Sequence, residues 1–489
     1  MSTRSIIIKS SIAALSGFVL FQSVTNNLWW LSFVSIAVFY YSVSGTTFRY
    51  RMLFSTKFAI CYFGPFLWWI HVVGFDAFVL LTLLCSLFFL LVFAIPGSQI
   101  WWMRILQFAS CWTLVELLRS NFPWGGFPWA LIGYGQVDGP FIDYARIGGT
   151  GALAFIVCLT SACIVEAIER KKIWLIGIPA VLALMPFSVS STAASGTLNV
   201  VAVQGSVPQT GVNDYWQRSE VLERHLTLTK KHAQEISKSD IVIWPESAAG
   251  NDPLHDELVK NEIQQTVNEI GTPLLVGGTT WQDNPYGPRN VGILWLPNTG
   301  PTNVYIKNHL VPFGEYIPMR KMLSGFIKRF EKVPNDFVAG NGGGVISVDK
   351  FSFGDAICFE VAYDDHLRNL VKGGAQFFTA QSNNSTYSGT SQPRQQFQIT
   401  RFRAVEHQRA VVVATTTGVS GIISSDGRIL SKSRGDGGEV LQAKIASSQN
   451  KQFADTFGYT FELCSLFIVL FSALERTLIS RRKQAQPIQ

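Results

Sequence analysis

The stretch Gly354-Asp-Ala-Ile-Cys-Phe-Glu360 reads as a short buried strand that ends in a polar turn, the position where α/β enzymes carry nucleophiles. Cys358 stands out within it, because the other six cysteines (Cys61, Cys85, Cys111, Cys158, Cys163 and Cys464) lie in strongly apolar runs. A lone thiol in a polar region has no cysteine partner, so it is either an inert buried side chain or a group with chemistry of its own. Two more apolar runs end in the same manner. Asp240-Ile-Val-Ile-Trp-Pro-Glu246 delivers a carboxylate just after Pro245 stops the strand, and Val304-Tyr-Ile-Lys307 delivers a lysine ahead of Asn308-His-Leu-Val-Pro-Phe-Gly-Glu315. Singly, each is an ordinary solvated strand end. Together, Glu, Lys and Cys form a set that acyl transfer can use.

Strand-like and helix-like runs alternate around these three ends, which argues for α/β layers. Strands are expected at Leu198–Val203, Asp240–Trp244, Pro273–Gly277, Val291–Leu296, Val304–Lys307, Phe353–Cys358, Gln376–Ala380 and Ala410–Thr415, with helices at Asp214–Ile236, Leu254–Ile270 and Gln395–His407. Asp426-Gly427 marks a late hairpin.

The rest of the chain has a different character. The full chain of 489 residues is 48% hydrophobic and only 15% charged, too apolar for an ordinary soluble protein. Seven apolar stretches precede the α/β region: Ile6–Val24, Leu28–Gly45, Met52–Val73, Ala77–Ile95, Ile100–Leu118, Gly149–Ile168 and Ile173–Ser190. An eighth, Tyr459–Leu474, follows it. Each is about long enough to cross a bilayer as a helix. The expected domains are therefore 1–195, a seven-helix membrane domain; 196–457, the catalytic α/β domain; and 458–489, an eighth span with a basic tail.

Arg4, Arg49, Arg51, Arg104, Arg170-Lys-Lys172 and Arg481-Arg-Lys483 fall on one side of an eight-span arrangement, while the short connections 25–27 and 74–76 carry no positive charge. Positive loops stay cytoplasmic, so both termini are expected there and the α/β domain outside. Arg146 in the longer outer connection departs from the rule. The first apolar segment reads as a retained span and not as a cleaved signal. The net charge of +7 is then a topology signal, and no nucleic-acid motif accompanies it.

The chemistry needs each of the three residue types. A thiol attacks a carbonyl as thiolate, so Cys358 requires a base and a positive surrounding that lowers its pKa. Glu246 can take the proton and return it to the leaving group. Lys307 and the backbone N–H of Phe359 can hold the tetrahedral oxyanion, a contribution on the order of 3 kcal/mol.

The ordered set Trp244-Pro-Glu246, Lys307 with His309-Leu-Val-Pro-Phe-Gly-Glu315, and Cys358-Phe-Glu360 resembles the nitrilase (carbon-nitrogen hydrolase) superfamily, as do Arg401-Phe-Arg-Ala-Val-Glu-His-Gln-Arg409 and Thr417-Gly-Val-Ser420. With its spans, the whole chain is similar to the apolipoprotein N-acyltransferase family, and Trp112-Thr-Leu-Val-Glu-Leu-Leu-Arg119, Gly126-Phe-Pro-Trp129 and Gly133-Tyr-Gly-Gln136 carry that likeness into the membrane half. The resemblance implies an αββα sandwich outside the inner membrane of a bacterial cell, with catalytic Glu246, Lys307 and Cys358 supported by Glu315, Glu360 and Phe359. It implies a thioester on Cys358, a phosphatidylethanolamine-type acyl donor, and the α-amino group of a diacylglyceryl-modified apolipoprotein as acceptor.

Trp216 resembles a family tryptophan on a substrate loop, and a plain packing role fits it as well. Ser382-Asn-Asn-Ser-Thr-Tyr-Ser-Gly389 departs from the family's Asn-Asp-Ala-Trp-Phe-Gly, which bears on donor contacts by Asn383, Asn384 and Tyr387 and not on the triad. Phe359 stands where a tyrosine is often found. A monomer is expected, without metal or other cofactor, since His309 has no second His or Cys at ligand spacing. Glu116 and Arg119 are expected to pair three apart on a helix, and Glu166 and Glu462 to snorkel at span ends. Two rivals remain: a membrane-anchored amidase that uses water as acceptor, and a transporter or sensor whose outer domain is catalytically dead.

Overall fold

The structure is a computed structural model that describes residues 2–184, 195–207, 215–323, 333–435 and 437–485, with the side chains of 215–217 and 480–485 outside that description. It divides into two compact units, Met1–Ser191 with Gln452–Gln489, and Thr192–Lys451.

The first unit is helical. Its long helices are Thr3–Asn26, Trp29–Val43, Phe48–Phe66, Phe75–Phe93, Trp101–Asn121, Ala145–Arg170 and Thr460–Ala485. Among the described residues, Thr3–Asn26, Phe75–Phe93 and Ile142–Arg170 are long and apolar enough to cross a membrane. Leu80, Leu83, Leu87 and Leu91 leave one face of Phe75–Phe93 exposed, a greasy surface suited to lipid and costly in water. The expected third span, 52–73, is instead the helix Phe48–Phe66 followed by a 3₁₀ turn at Trp68–Val72. The expected seventh is described only to Leu184, and its remainder, 185–190, lies outside the described residues.

Three expectations for acidic side chains are corrected. Glu116 accepts from Trp112 Nε1 (3.0 Å) and from the backbone N–H of Ile132 (2.9 Å), while Arg119 donates to the carbonyls of Phe127 (3.0 Å), Trp129 and Ala130 (3.0 Å). Each thus holds the non-helical segment that follows their helix, because backbone removed from water must find partners elsewhere. Glu166 is buried, accepting from Tyr40 (2.7 Å) and pairing with Arg170. Glu462 is buried against Gly151, where a Cβ would collide with its carboxylate.

Among its described residues the second unit contains twelve strands: β1 Gly196–Gln204, β2 Ile241–Ile243, β3 Leu274–Asp283, β4 Tyr286–Leu296, β5 Gly300–Ile306, β6 Val345–Val348, β7 Phe351–Ile357, β8 Phe377–Ser382, β9 Val411–Thr415, β10 Gly421–Ile423, β11 Ile429–Lys432 and β12 Glu439–Ser447. They form two six-stranded sheets, ordered β12-β1-β2-β3-β4-β5 and β11-β10-β9-β8-β7-β6. The inner strands β1, β2 and β3 are parallel, as are β7, β8 and β9.

Strand periodicity explains the layers. Val200 and Ala202 of β1 and Ile241 and Ile243 of β2 meet Phe353, Ile357, Phe377 and Val412 of the other sheet in one buried cluster. The alternate residues Val201, Val203, Val242 and Trp244 face outward onto Leu222, Leu226, Val259, Ile263 and Val267 of helices Tyr215–Lys231 and Glu257–Ile270. The second sheet carries the helices Asp364–Lys372 and Gln392–His407. The sandwich is therefore helix, sheet, sheet, helix. Gly421–Ile423 and Ile429–Lys432 form the hairpin expected at Asp426-Gly427.

His225 ties the outer helix to β1, with Nδ1 donating to the Val221 carbonyl (2.7 Å) and Nε2 accepting from the Gly205 N–H (3.1 Å). Burial pushes its pKa down to about 4. Its contribution to stability is complete above the unfolded value near 6.5 and is lost as pH falls toward 4, on the order of 3 kcal/mol in all. Thermal unfolding of the full chain in micelles is expected to show this acid loss, and His225→Gln to lack it. An identical acid dependence in the variant would refute the assignment.

Candidate active site

The strands β2, β5, β7 and β8 all end at one region. β5 runs in the same sense as β2 and β3, since two antiparallel pairings separate it from β3, so their carboxyl ends coincide. Glu246 follows β2 through Trp244 and Pro245. Gly277 makes room for that turn: a Cβ there would run into the Pro245 carbonyl and stand 2.7 Å from the Glu246 Cα. Trp244 anchors the strand end through Nε1 to Thr229 Oγ1 (3.0 Å).

Lys307 follows β5 and is almost wholly buried. Its Nζ lies 2.9 Å from Glu315 Oε1 and 3.4 Å from Glu246 Oε1. Burial alone would lower the ammonium pKa, but the carboxylates of Glu315 and Glu246 outweigh it and hold the lysine charged well above its ordinary value. Asn290 of β4 completes the group, its Nδ2 donating to both Glu246 Oε1 (2.6 Å) and Glu315 Oε1 (2.9 Å). Glu315 Oε2 in turn takes the Val311 N–H (2.7 Å), and Glu246 Oε2 takes the Asn383 N–H (2.7 Å).

Cys358 follows β7 with φ of 56°, a left-handed conformation that costs a side-chain-bearing residue roughly 1–2 kcal/mol. Its surroundings hold it there. Gln396 Nε2 donates to the Cys358 carbonyl (3.0 Å) and to Ser382 Oγ (2.9 Å). Arg403 donates to the carbonyls of Val361 (3.0 Å) and Ala362 (2.6 Å). Glu360 is fully buried, accepting from the N–H groups of Ile357 (2.8 Å), Asn308 (2.7 Å) and His309 (3.0 Å) and from the Tyr305 hydroxyl (2.8 Å). It therefore clasps the nucleophile turn to the segment after Lys307.

The pKa of the Cys358 thiol is raised far above the ordinary value, first by burial and then by the nearby Glu246 carboxylate, against the lowering effect of Lys307. This corrects the expectation of a lowered thiol pKa. Two carboxylates surround one ammonium, so little positive charge is left to favour a thiolate at Cys358.

Two models match the chain: the apolipoprotein N-acyltransferase N-terminal domain over residues 16–163 and carbon-nitrogen hydrolase over 199–455. An apolipoprotein N-acyltransferase of Mycolicibacterium smegmatis is 33% identical over 474 residues, covering 86% of this chain and 77% of the relative. The chain belongs to the apolipoprotein N-acyltransferase family. The Pasteurella multocida member is 29% identical over 395 residues, 76% of this chain and 75% of that one. The α/β unit also resembles a carbon-nitrogen hydrolase from Helicobacter pylori, at 16% identity and a TM-score of 0.39, covering 51% of this chain and 89% of that one. By its family models and its apolipoprotein N-acyltransferase relatives, the chain is an acyltransferase of the carbon-nitrogen hydrolase superfamily.

The other expected site residues lie as follows. Phe359 packs edge-on against Tyr363 (5.2 Å between centroids), and Tyr363 stacks on His309 (4.2 Å). In the segment where this chain departs from the family, Asn383 reaches Glu246 by its backbone, while its Oδ1 accepts from Ser385 Oγ (2.8 Å) and Thr416 Oγ1 (2.8 Å). Asn384 is buried beside Gly418. The Tyr387 hydroxyl is pushed up to about 12, by burial first, with the Glu246 carboxylate adding to it. Trp216 belongs to the helix Tyr215–Lys231, and its side chain lies outside the described residues.

Asp364, Glu406 and His407 bring possible ligand atoms within 4.8 Å of one another. Arg403 pairs with Glu406 and lies 3.7 Å from Asp364, and Arg368 pairs with Asp364. Those guanidinium groups already neutralise the carboxylates, so the cluster is an ion-pair brace for the nucleophile turn.

Asn290 was not among the expected site residues, although it is a polar side chain entering an apolar strand. Asn290→Leu removes the donor between two carboxylates and is expected to cost about 1–3 kcal/mol. Alkylation of Cys358, read on its peptide by mass, should slow roughly tenfold as Glu246 shifts; an unchanged rate in a folded variant would refute the bridging role.

Proposed function

We propose that the chain transfers an acyl chain from a membrane phospholipid of phosphatidylethanolamine type to the α-amino group of a diacylglyceryl-modified apolipoprotein, through a thioester on Cys358. The observation that carries this reading is the convergence of three strand ends that brings buried Glu246 and Lys307, 3.4 Å apart, together with the half-buried Cys358.

In the first step Glu246 takes the thiol proton as Sγ attacks the donor ester carbonyl. Two N–H groups of the Lys307 ammonium serve Glu246 and Glu315, and the third stabilises the oxyanion together with the Phe359 N–H. Collapse releases the lysophospholipid alkoxide, which takes the proton back from Glu246, and leaves the thioester. In the second step the acceptor amine attacks the thioester carbonyl, Glu246 takes the amine proton, and the thiolate leaves and recovers it. Asn383, Asn384 and Tyr387 border the donor in this scheme, and Trp216 contacts substrate.

Both substrates carry acyl chains, and extracting them into water would cost about 0.8 kcal/mol per CH₂. A catalytic unit tethered at the bilayer avoids that cost. We therefore read eight apolar helices as spans of the bacterial inner membrane, with both termini cytoplasmic and the α/β unit outside. The asymmetry of Lys and Arg in the connections supports this arrangement.

Vesicles of phosphatidylethanolamine with a diacylglyceryl peptide and the purified chain are expected to give lysophospholipid and N-acylated peptide in equal amounts. Glu246→Gln should slow this about 10²–10⁴-fold and Lys307→Met about 10²–10³-fold. Free fatty acid with no acylated peptide would refute the transferase assignment and favour a hydrolase.

A further inference from the structure

Asp355 is fully buried in β7, three residues before Cys358, and the scheme above does not use it. Its Oδ1 accepts from Thr379 Oγ1 (2.7 Å). Among the described residues its Oδ2 has no hydrogen-bond partner, and neither does the buried Oε1 of Gln381. Both orphan acceptors crowd the same point of β4: a Cβ on Gly292 would strike Asp355 Oδ2 and lie 2.7 Å from Gln381 Oε1. Two bare acceptors at one buried spot repel each other and are each costly, unless a proton joins them. The orientation of the Gln381 amide is fixed, because its Nε2 donates to the Trp244 carbonyl (2.5 Å). Trp244 lies two residues before Glu246.

We propose that Asp355 is held as a neutral carboxylic acid whose Oδ2–H donates to Gln381 Oε1, and that this acid–amide bridge positions Glu246 through the Trp244 carbonyl. One proton then satisfies both orphan atoms. The charged and titratable groups around Asp355 are Glu360, Tyr305 and His366, the last within 3.3 Å of the Asp355 carbonyl oxygen. Burial, with the charge of Glu360 adding to it, pushes the Asp355 carboxyl up to about 8. Its stabilising effect as an acid is complete below the ordinary value of 3.8 and is lost as pH rises to about 8. Asp355 is a positioning residue, and this role rests on the reading of Glu246 as the base.

Infrared spectra of the full chain in micelles at pH 7 are expected to show a protonated-carboxyl band that is absent from Asp355→Asn and fades as pH rises through about 8. Asp355→Asn, which can still donate to Gln381, should keep Cys358 alkylation within twofold, whereas Gln381→Leu should slow it tenfold. No such band, or an unchanged rate in folded Gln381→Leu, overturns the proposal. The infrared readout needs no substrate: the band without acyl transfer would sink the function alone, and acyl transfer without the band would sink the bridge alone.

Discussion

The α/β unit is organised around one costly act, the burial of the Lys307 ammonium. Removing such a charge from water costs several kcal/mol unless well-placed partners replace the solvent. Glu315 at 2.9 Å and Glu246 at 3.4 Å are those partners, and each comes from a different chain segment. Two carboxylates so close to each other need a further donor between them, which Asn290 supplies. The ends of β2 and β5 and the middle of β4 are thus locked together by electrostatics, and the packing between the sheets brings β7 with Cys358 to the same place.

One consequence is that Cys358, the nucleophile of the proposed reaction, is quiet at rest. With the local positive charge already matched, burial raises the thiol pKa and favours the protonated sulfur. A preformed thiolate would be open to oxidation and to stray electrophiles. On the proposed reaction, the driving force for proton transfer comes from the developing oxyanion beside Lys307, so activation is tied to substrate. The strained backbone of Cys358, gripped by Gln396 and by the Glu360 clasp, keeps sulfur aimed while its neighbours do the electrostatic work.

The parts of this arrangement written as local pattern were legible in the sequence. Apolar runs ending at Glu246, Lys307 and Cys358 read as strand ends because a buried strand tolerates a charge only where it leaves the core. What stayed hidden depends on neighbours far along the chain. Asn290, Gln396 and Arg403 are ordinary polar residues until folding sets them against Glu246, the Cys358 carbonyl and the Val361 carbonyl. The helix Asp364–Lys372 was missed because it is short and rich in charge, and β12 because an edge strand buries only residues such as Leu441 and Ile445. In the helical unit, the spacing of Glu116 and Arg119 suggested an ion pair. Spacing along a helix carries no information about a following segment whose backbone needs both side chains.

The central claim is that sulfur, and not water, receives the acyl group first. Intact-mass measurement of the purified chain after exposure to phosphatidylethanolamine vesicles, with no acceptor present, tests it directly. A gain of one acyl chain that hydroxylamine removes and Cys358→Ala never shows is the expected result. Release of lysophospholipid by folded protein without any adduct, or an adduct that persists in Cys358→Ala, would contradict it.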